Sequence, residues 1–180
     1  MNEAKNVLNP FVLAFAGLKE GFHHFSLDIT STFFDAFDYT EFNDAALNAQ
    51  IELNKKATLL ELSFSISGTV NVSCDVSNEP FDLPISTKHE LVVKFGEAFN
   101  DENEDLLVLP HGSHQVDVAQ TLFETVVLAV PQKRVHPGIE NGSLDSDLLD
   151  RLKELHPKKS TKAPETTDPR WDALKKLKKD

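Results

Sequence analysis

Leu60-Glu61-Leu62-Ser63-Phe64-Ser65-Ile66-Ser67-Gly68-Thr69-Val70-Asn71-Val72-Ser73-Cys74 alternates without a slip in parity. Leu60, Leu62, Phe64, Ile66, Val70, Val72 and Cys74 take the even positions, and Glu61, Ser63, Ser65, Ser67, Thr69, Asn71 and Ser73 the odd ones. Successive side chains of a strand point to opposite faces, so this is one long strand with an apolar face toward a core and a polar face toward water. Gly68 interrupts the apolar row midway, where a long strand bends or bulges and lets its sheet curl.

The flanking segments repeat the pattern. Leu47, Ala49, Ile51 and Leu53 alternate with Asn48, Gln50, Glu52 and Asn54, and Phe81, Leu83, Ile85, Leu91, Val93 and Phe95 recur on odd positions. The short polar connectors Asn54 to Thr58 and Asp75 to Pro80 make these three strands an antiparallel meander. Phe25, Leu27 and Ile29 predict another strand, and Phe11 to Phe15 a further one, joined by a turn at Ala16 to Gly21. Phe33-Phe34-Asp35-Ala36-Phe37 reads as a helical turn that plugs one end of the sheet. Gly96 to Asp105 is an acidic loop, followed by a short strand from Leu106 to Leu109 that ends at Pro110.

One helix stands out in the body. From Asp117 to Val130, Ala119, Leu122, Phe123, Val126, Val127 and Val130 share a face, and Asp117 with Gln120 suggests a capping box. Pro131 ends it. The expected fold is therefore α+β: a curled, partly barrel-like antiparallel sheet of about five strands, covered by this amphipathic helix, with helical additions toward the C-terminus. The α+β domain spans residues 1–143, an amphipathic helix with Leu148, Leu149, Leu152 and Leu155 spans 144–156, and a Lys/Pro/Thr linker spans 157–167.

The remaining segment, 168–180, is a basic helix. Asp168 serves as N-cap, Pro169 takes the first helical position, and Lys175, Lys176, Lys178 and Lys179 crowd the last turn, where the helix dipole favours cations. Trp171, the chain's only Trp, shares one side with Leu174 and Leu177. Asp168, Pro169, Arg170, Trp171, Leu174, Lys175, Lys176, Leu177 and Lys178 are accordingly the candidate partner- or RNA-binding residues. Their target could equally be this domain itself, another protein or RNA.

Charge divides the chain. Residues 1–150 hold 8 Lys and Arg against 24 Asp and Glu, a charge of −16, whereas residues 151–180 hold 10 against 5, a charge of +5. An acidic body repels a phosphate backbone, so nucleic acid would be met through the tail or through a basic partner, and the body suits basic protein. Composition fits one globular domain plus a tail, and a single cysteine excludes an intrachain disulfide framework. With no membrane-spanning run and no signal-peptide order at the N-terminus, a soluble cytoplasmic protein is expected.

Catalytic patterns are not apparent. His23, His24, His111, His114 and His136 are scattered rather than paired in zinc spacing, and Cys74 on a strand's apolar face reads as a small core residue. The acidic Asp101, Glu102, Glu104 and Asp105 lack the spacing of a calcium loop, and no phosphate-binding loop appears. No cofactor, metal or small-molecule substrate is expected.

Four stretches stand in a telling order: Gly68-Thr69-Val70-Asn71-Val72-Ser73-Cys74-Asp75; Val92-Val93-Lys94-Phe95-Gly96-Glu97; Glu124 of the helix running into Pro131-Gln132-Lys133-Arg134-Val135-His136-Pro137; and Asp168-Pro169-Arg170-Trp171-Asp172-Ala173-Leu174. Over nearly the whole chain this order resembles the YceD family. The resemblance implies a non-enzymatic role in large-ribosomal-subunit biogenesis or accumulation of large-subunit ribosomal RNA, through protein or RNA binding, with a large-subunit ribosomal protein or ribosomal RNA as partner. Bacterial members are commonly encoded beside a large-subunit ribosomal protein and fatty-acid synthesis genes. Many members carry a Cys-x-x-Cys after the long strand and a second cysteine cluster after the helix, which reads as a zinc site. Here Cys74-Asp75-Val76-Ser77 and Val135-His136-Pro137-Gly138-Ile139-Glu140-Asn141-Gly142 stand in those places. Cys74 is thus a degenerate metal position, and the resemblance implies a metal-free branch. Two rivals remain: an acidic protein-binding module unrelated to ribosomes, and a metal-dependent enzyme using the histidines and Cys74.

Overall fold

The computed structural model describes residues 7–140 and 154–155. A 3-10 turn at Asn9–Phe11 leads into β1 (Val12–Ala14), β2 (Gly21–Thr30), α1 (Ser31–Asp35), β3 (Asp44–Lys55), β4 (Leu59–Ser73), β5 (Pro80–Gly96), β6 (Asn100–Asn103), β7 (Leu106–Pro110), β8 (Gln115–Asp117), α2 (Ala119–Ala129) and α3 (Pro137–Glu140). The chain divides into two units, Met1–Leu144 and Asp145–Asp180. In the second, only Glu154 and Leu155 are described, both helical. The rest of the helix expected over 144–156, the linker and the basic helix lie outside the described residues.

Alternation is obeyed residue by residue. Every even position named on β4 is buried except Gly68, which is half-buried, and its odd positions are exposed or half-buried. β3, β4 and β5 form the antiparallel meander expected, and β2 extends it by pairing antiparallel with β3. The six-stranded sheet runs β2-β3-β4-β5-β7-β6 and does not close on itself, so the fold is α+β without a barrel.

Three further expectations about the strands are corrected. First, the sheet is mixed: β7 lies parallel to β5, with Val92 opposite Leu106. After β5 the chain passes the neighbouring place, lays down β6, and returns to fill the gap with β7. The segment read as an acidic loop therefore contains a strand. Second, β1 does not pair with β2 across the turn at residues 16–21; it forms a separate two-stranded ladder with β8. Third, Gly68 carries no bulge, since the register on both sides of β4 is unbroken. Its φ is +148°, and a Cβ there would lie 2.2 Å from the Ala46 carbonyl oxygen. Glycine is needed because β3 approaches too closely for any side chain.

The apolar face of the sheet forms the core with β1, β8 and α2. Ala119, Leu122 and Val126 of α2 are buried against it, while Phe123, Ala129 and Val130 pack at its margin. No capping box forms at its start: Asp117 Oδ1 accepts the Ala119 N–H at 2.9 Å, but Gln120 turns to Glu124 at 2.5 Å. The helix ends before Pro131, as expected. α1 supplies the aromatic plug. Phe33 meets Phe11 at 4.5 Å and Phe34 meets Phe42 at 4.8 Å, and beyond α1 Phe37 stacks on Phe123 at 4.5 Å.

Candidate functional site

Asp168, Pro169, Arg170, Trp171, Leu174, Lys175, Lys176, Leu177 and Lys178 all lie outside the described residues. Cys74 is described, and its surroundings form the first of two candidate sites. β4 ends one residue before it, and the turn to β5 bends sharply: Asn78 N–H reaches the Cys74 carbonyl at 2.8 Å and Cys74 N–H reaches that of Glu79 at 2.9 Å. The segment following α2 crosses this turn. Asp75 N–H donates to the Arg134 carbonyl at 2.8 Å, and Arg134 N–H returns a bond to Asp75 Oδ2 at 2.6 Å. The Arg134 guanidinium continues to Asp75 Oδ1 at 3.4 Å and to Glu41 Oε2 at 3.3 Å, so one side chain ties three segments.

Backbone donors converge on the sulfur. Cys74 Sγ accepts the N–H of His136 at 3.3 Å, of Val76 at 3.4 Å and of Ser77 at 3.5 Å. Burial disfavours the thiolate, but the Ser77 side chain and the backbone N–H groups of Ser77, His136 and Val76 outweigh it, lowering the thiol from 9.0 to about 7. Ser77, the buried polar residue among those described, stands where the cysteine-bearing pattern has its second Cys. His136 packs edge-on against Phe81 at 5.4 Å, and its Nδ1 accepts the Gly138 N–H at 2.9 Å. The turn after β4 and the segment after α2, where the resemblance leads one to expect cysteine clusters, are thus adjacent here, held by hydrogen bonds and an ion pair. Cys74 is 2% exposed, and its sulfur is an acceptor enclosed within the fold.

The described histidines do not gather. His23 binds the Lys19 carbonyl, His24 faces Glu52 at 3.7 Å, and His114 binds the Gly112 carbonyl. Among the described residues, no group of three or more His, Cys, Asp or Glu is placed to hold a metal ion. No helix among them is long and apolar enough to cross a membrane.

The second candidate site was not anticipated from the sequence. A groove of about 580 Å³ lies between α2 and β5. Thr87, Lys88 and His89 of β5 line one side, and Thr121, Phe123, Glu124, Thr125, Val127 and Leu128 of α2 the other, with Asp101 and Glu104 also at its lining. His89 stacks on Phe64 at 6.0 Å, and Leu128 is 78% exposed. The available signal was Pro84, a proline inside a strand, which marks an edge.

The outer face of the sheet is a polar lattice. Gln50 donates to Asn48 Oδ1 at 2.7 Å and to Ser26 Oγ at 3.2 Å, and Asn48 donates to Asp28 Oδ1 at 2.8 Å. These side chains satisfy one another.

Neither a comparison with curated proteins nor one with solved structures finds a match. A family model described as large ribosomal RNA subunit accumulation protein YceD matches residues 62–178, from within β4 through the Cys74 turn, the groove and α2 into the basic C-terminal segment. The chain belongs to the YceD family.

Proposed function

We propose that this protein is a non-enzymatic factor that supports large-ribosomal-subunit biogenesis, and with it the accumulation of large-subunit ribosomal RNA, by binding protein, RNA or both. The observation that carries the proposal is the family match, which spans residues 62–178. The charge division supports a mode of action. The −16 body attracts a basic protein such as a ribosomal protein, while the +5 C-terminal segment, with Arg170, Trp171 and its lysines, reaches RNA. The buried, hydrogen-bonded Cys74 supports the non-enzymatic reading, because the one cysteine is occupied within the fold. Its place of action is the cytoplasm, where subunits mature.

Capture with the tagged full chain, with and without RNase, tests this. Large-subunit proteins retained after RNase would indicate protein contact, and their loss with the RNA would indicate RNA contact. Recovery of no ribosomal component in either arm would sink the proposal. Depletion of the protein should also lower large-subunit relative to small-subunit ribosomal RNA.

A further inference from the structure

We infer that the groove between α2 and β5 takes an extended, lysine-rich segment of a partner protein, added as a strand to the open edge of β5. The inference deepens the reading of the body as a binder of basic protein. β7 covers only Val92–Gly96 of β5, and residues 80–91 have no strand on that side among the described residues. Val92 donates its N–H to Asp105 on the β7 side, and Gly96 accepts there from His111. Backbone groups alternate sides along a strand, so the even-numbered residues of β5 aim away from β4. Ser86, Lys88 and Glu90 therefore hold their N–H and C=O groups out at the open edge. Pro84, at the same parity, has no N–H to lose there, which is why a proline is tolerated.

A strand edge facing a helix across a groove is the geometry in which peptides bind by strand addition: backbone hydrogen bonds supply affinity and flanking pockets supply specificity. Here the flanks select the occupant. Asp101, Glu104 and Glu124 outnumber Lys88 among the charged groups around the groove, and Phe123, Val127 and Leu128 offer apolar surface beside them. An occupant that alternates cationic and aliphatic side chains satisfies both. Phosphates would meet three carboxylates, so nucleic acid fits this groove poorly.

Titration of the ¹⁵N-labelled full chain with the peptide acetyl-Lys-Val-Lys-Val-Lys-Val-Lys-amide tests the assignment. The Ser86, Lys88 and Glu90 amides should shift and their hydrogen exchange should slow as their open N–H groups gain acceptors. Lys88→Pro removes an N–H that no described strand engages and should weaken binding about tenfold. Glu124→Lys, which leaves the edge intact, should weaken it by a similar factor, and the peptide with Glu replacing Lys should not bind. Wild-type affinity in both variants, equal binding of the Glu peptide, or exchange already slow at the three amides before peptide is added would each overturn it. The probe contains no ribosomal component, so a negative result here leaves the ribosomal role standing, and a failed ribosomal capture leaves the groove standing.

Discussion

At the scale of single residues, Gly68 and Cys74 do different work on one strand. At Gly68 the φ of +148° and the Ala46 carbonyl, 2.2 Å from a built Cβ, act together against any side chain. Gly68→Ala should cost about 3 kcal/mol or more in urea unfolding. Gly17→Ala, with nothing within 4 Å of the new methyl, should stay within about 0.5 kcal/mol. Cys74 makes stability depend on pH. Its folded-state value of about 7 lies below the ordinary 9.0, so folding favours the thiolate. The resulting stabilisation is complete above pH 9, shrinks as pH falls toward 7, and is absent below 7. Two pKa units correspond to about 2.7 kcal/mol at full extent. The stability gap between wild type and Cys74→Ala should therefore widen by about 2 kcal/mol between pH 6.5 and pH 9.5. An unchanged gap would mean the sulfur stays protonated in its cradle.

At the scale of elements, the plug and the meander were legible because both are written locally. Parity on β3, β4 and β5 assigns buried and exposed faces, since a strand's period of two leaves no other register that buries Phe64 and exposes Ser63 and Ser65. The aromatic run at Phe33, Phe34 and Phe37 announced a plug in the same way. Phe34 is 1% exposed and touches Phe33, Tyr39, Phe42 and Phe123. Phe34→Ala should lower stability by about 3 to 5 kcal/mol, read as a fall in urea midpoint with unchanged slope. What was not legible depends on long-range choice. Nothing in Leu106–Leu109 says which strand it will join or in which direction, and the parallel β5–β7 pairing follows from the path of residues 97–105. The groove inherits that choice, because β7 stops short of residues 80–91. The Cys74 cradle was half legible: the cysteine and the segment at Val135 were marked, but its donors are backbone N–H groups, which every residue carries.

At the scale of the whole molecule, the division of charge is the feature that separates two contacts. A −16 body and a +5 C-terminal segment cannot favour the same polyelectrolyte, and at about 0.1 M salt each is felt only within about 10 Å. If the acidic body holds protein and the lysines hold RNA, the two contacts should be separable by substitution. Replacing Lys175, Lys176, Lys178 and Lys179 with Gln removes four positive charges and changes no residue between β1 and α2. Counterion release makes such phosphate contacts steeply salt-dependent. The quadruple variant should therefore lose the RNase-sensitive part of ribosomal capture and much of its salt dependence between 50 and 200 mM (about 0.7 to 0.9 in slope per lost contact). The RNase-resistant part should stay within about twofold of wild type, since it draws on carboxylates the substitutions leave in place. Loss of both parts together would place the protein contact on the lysine-rich segment instead, and the acidic body would then carry no binding of its own.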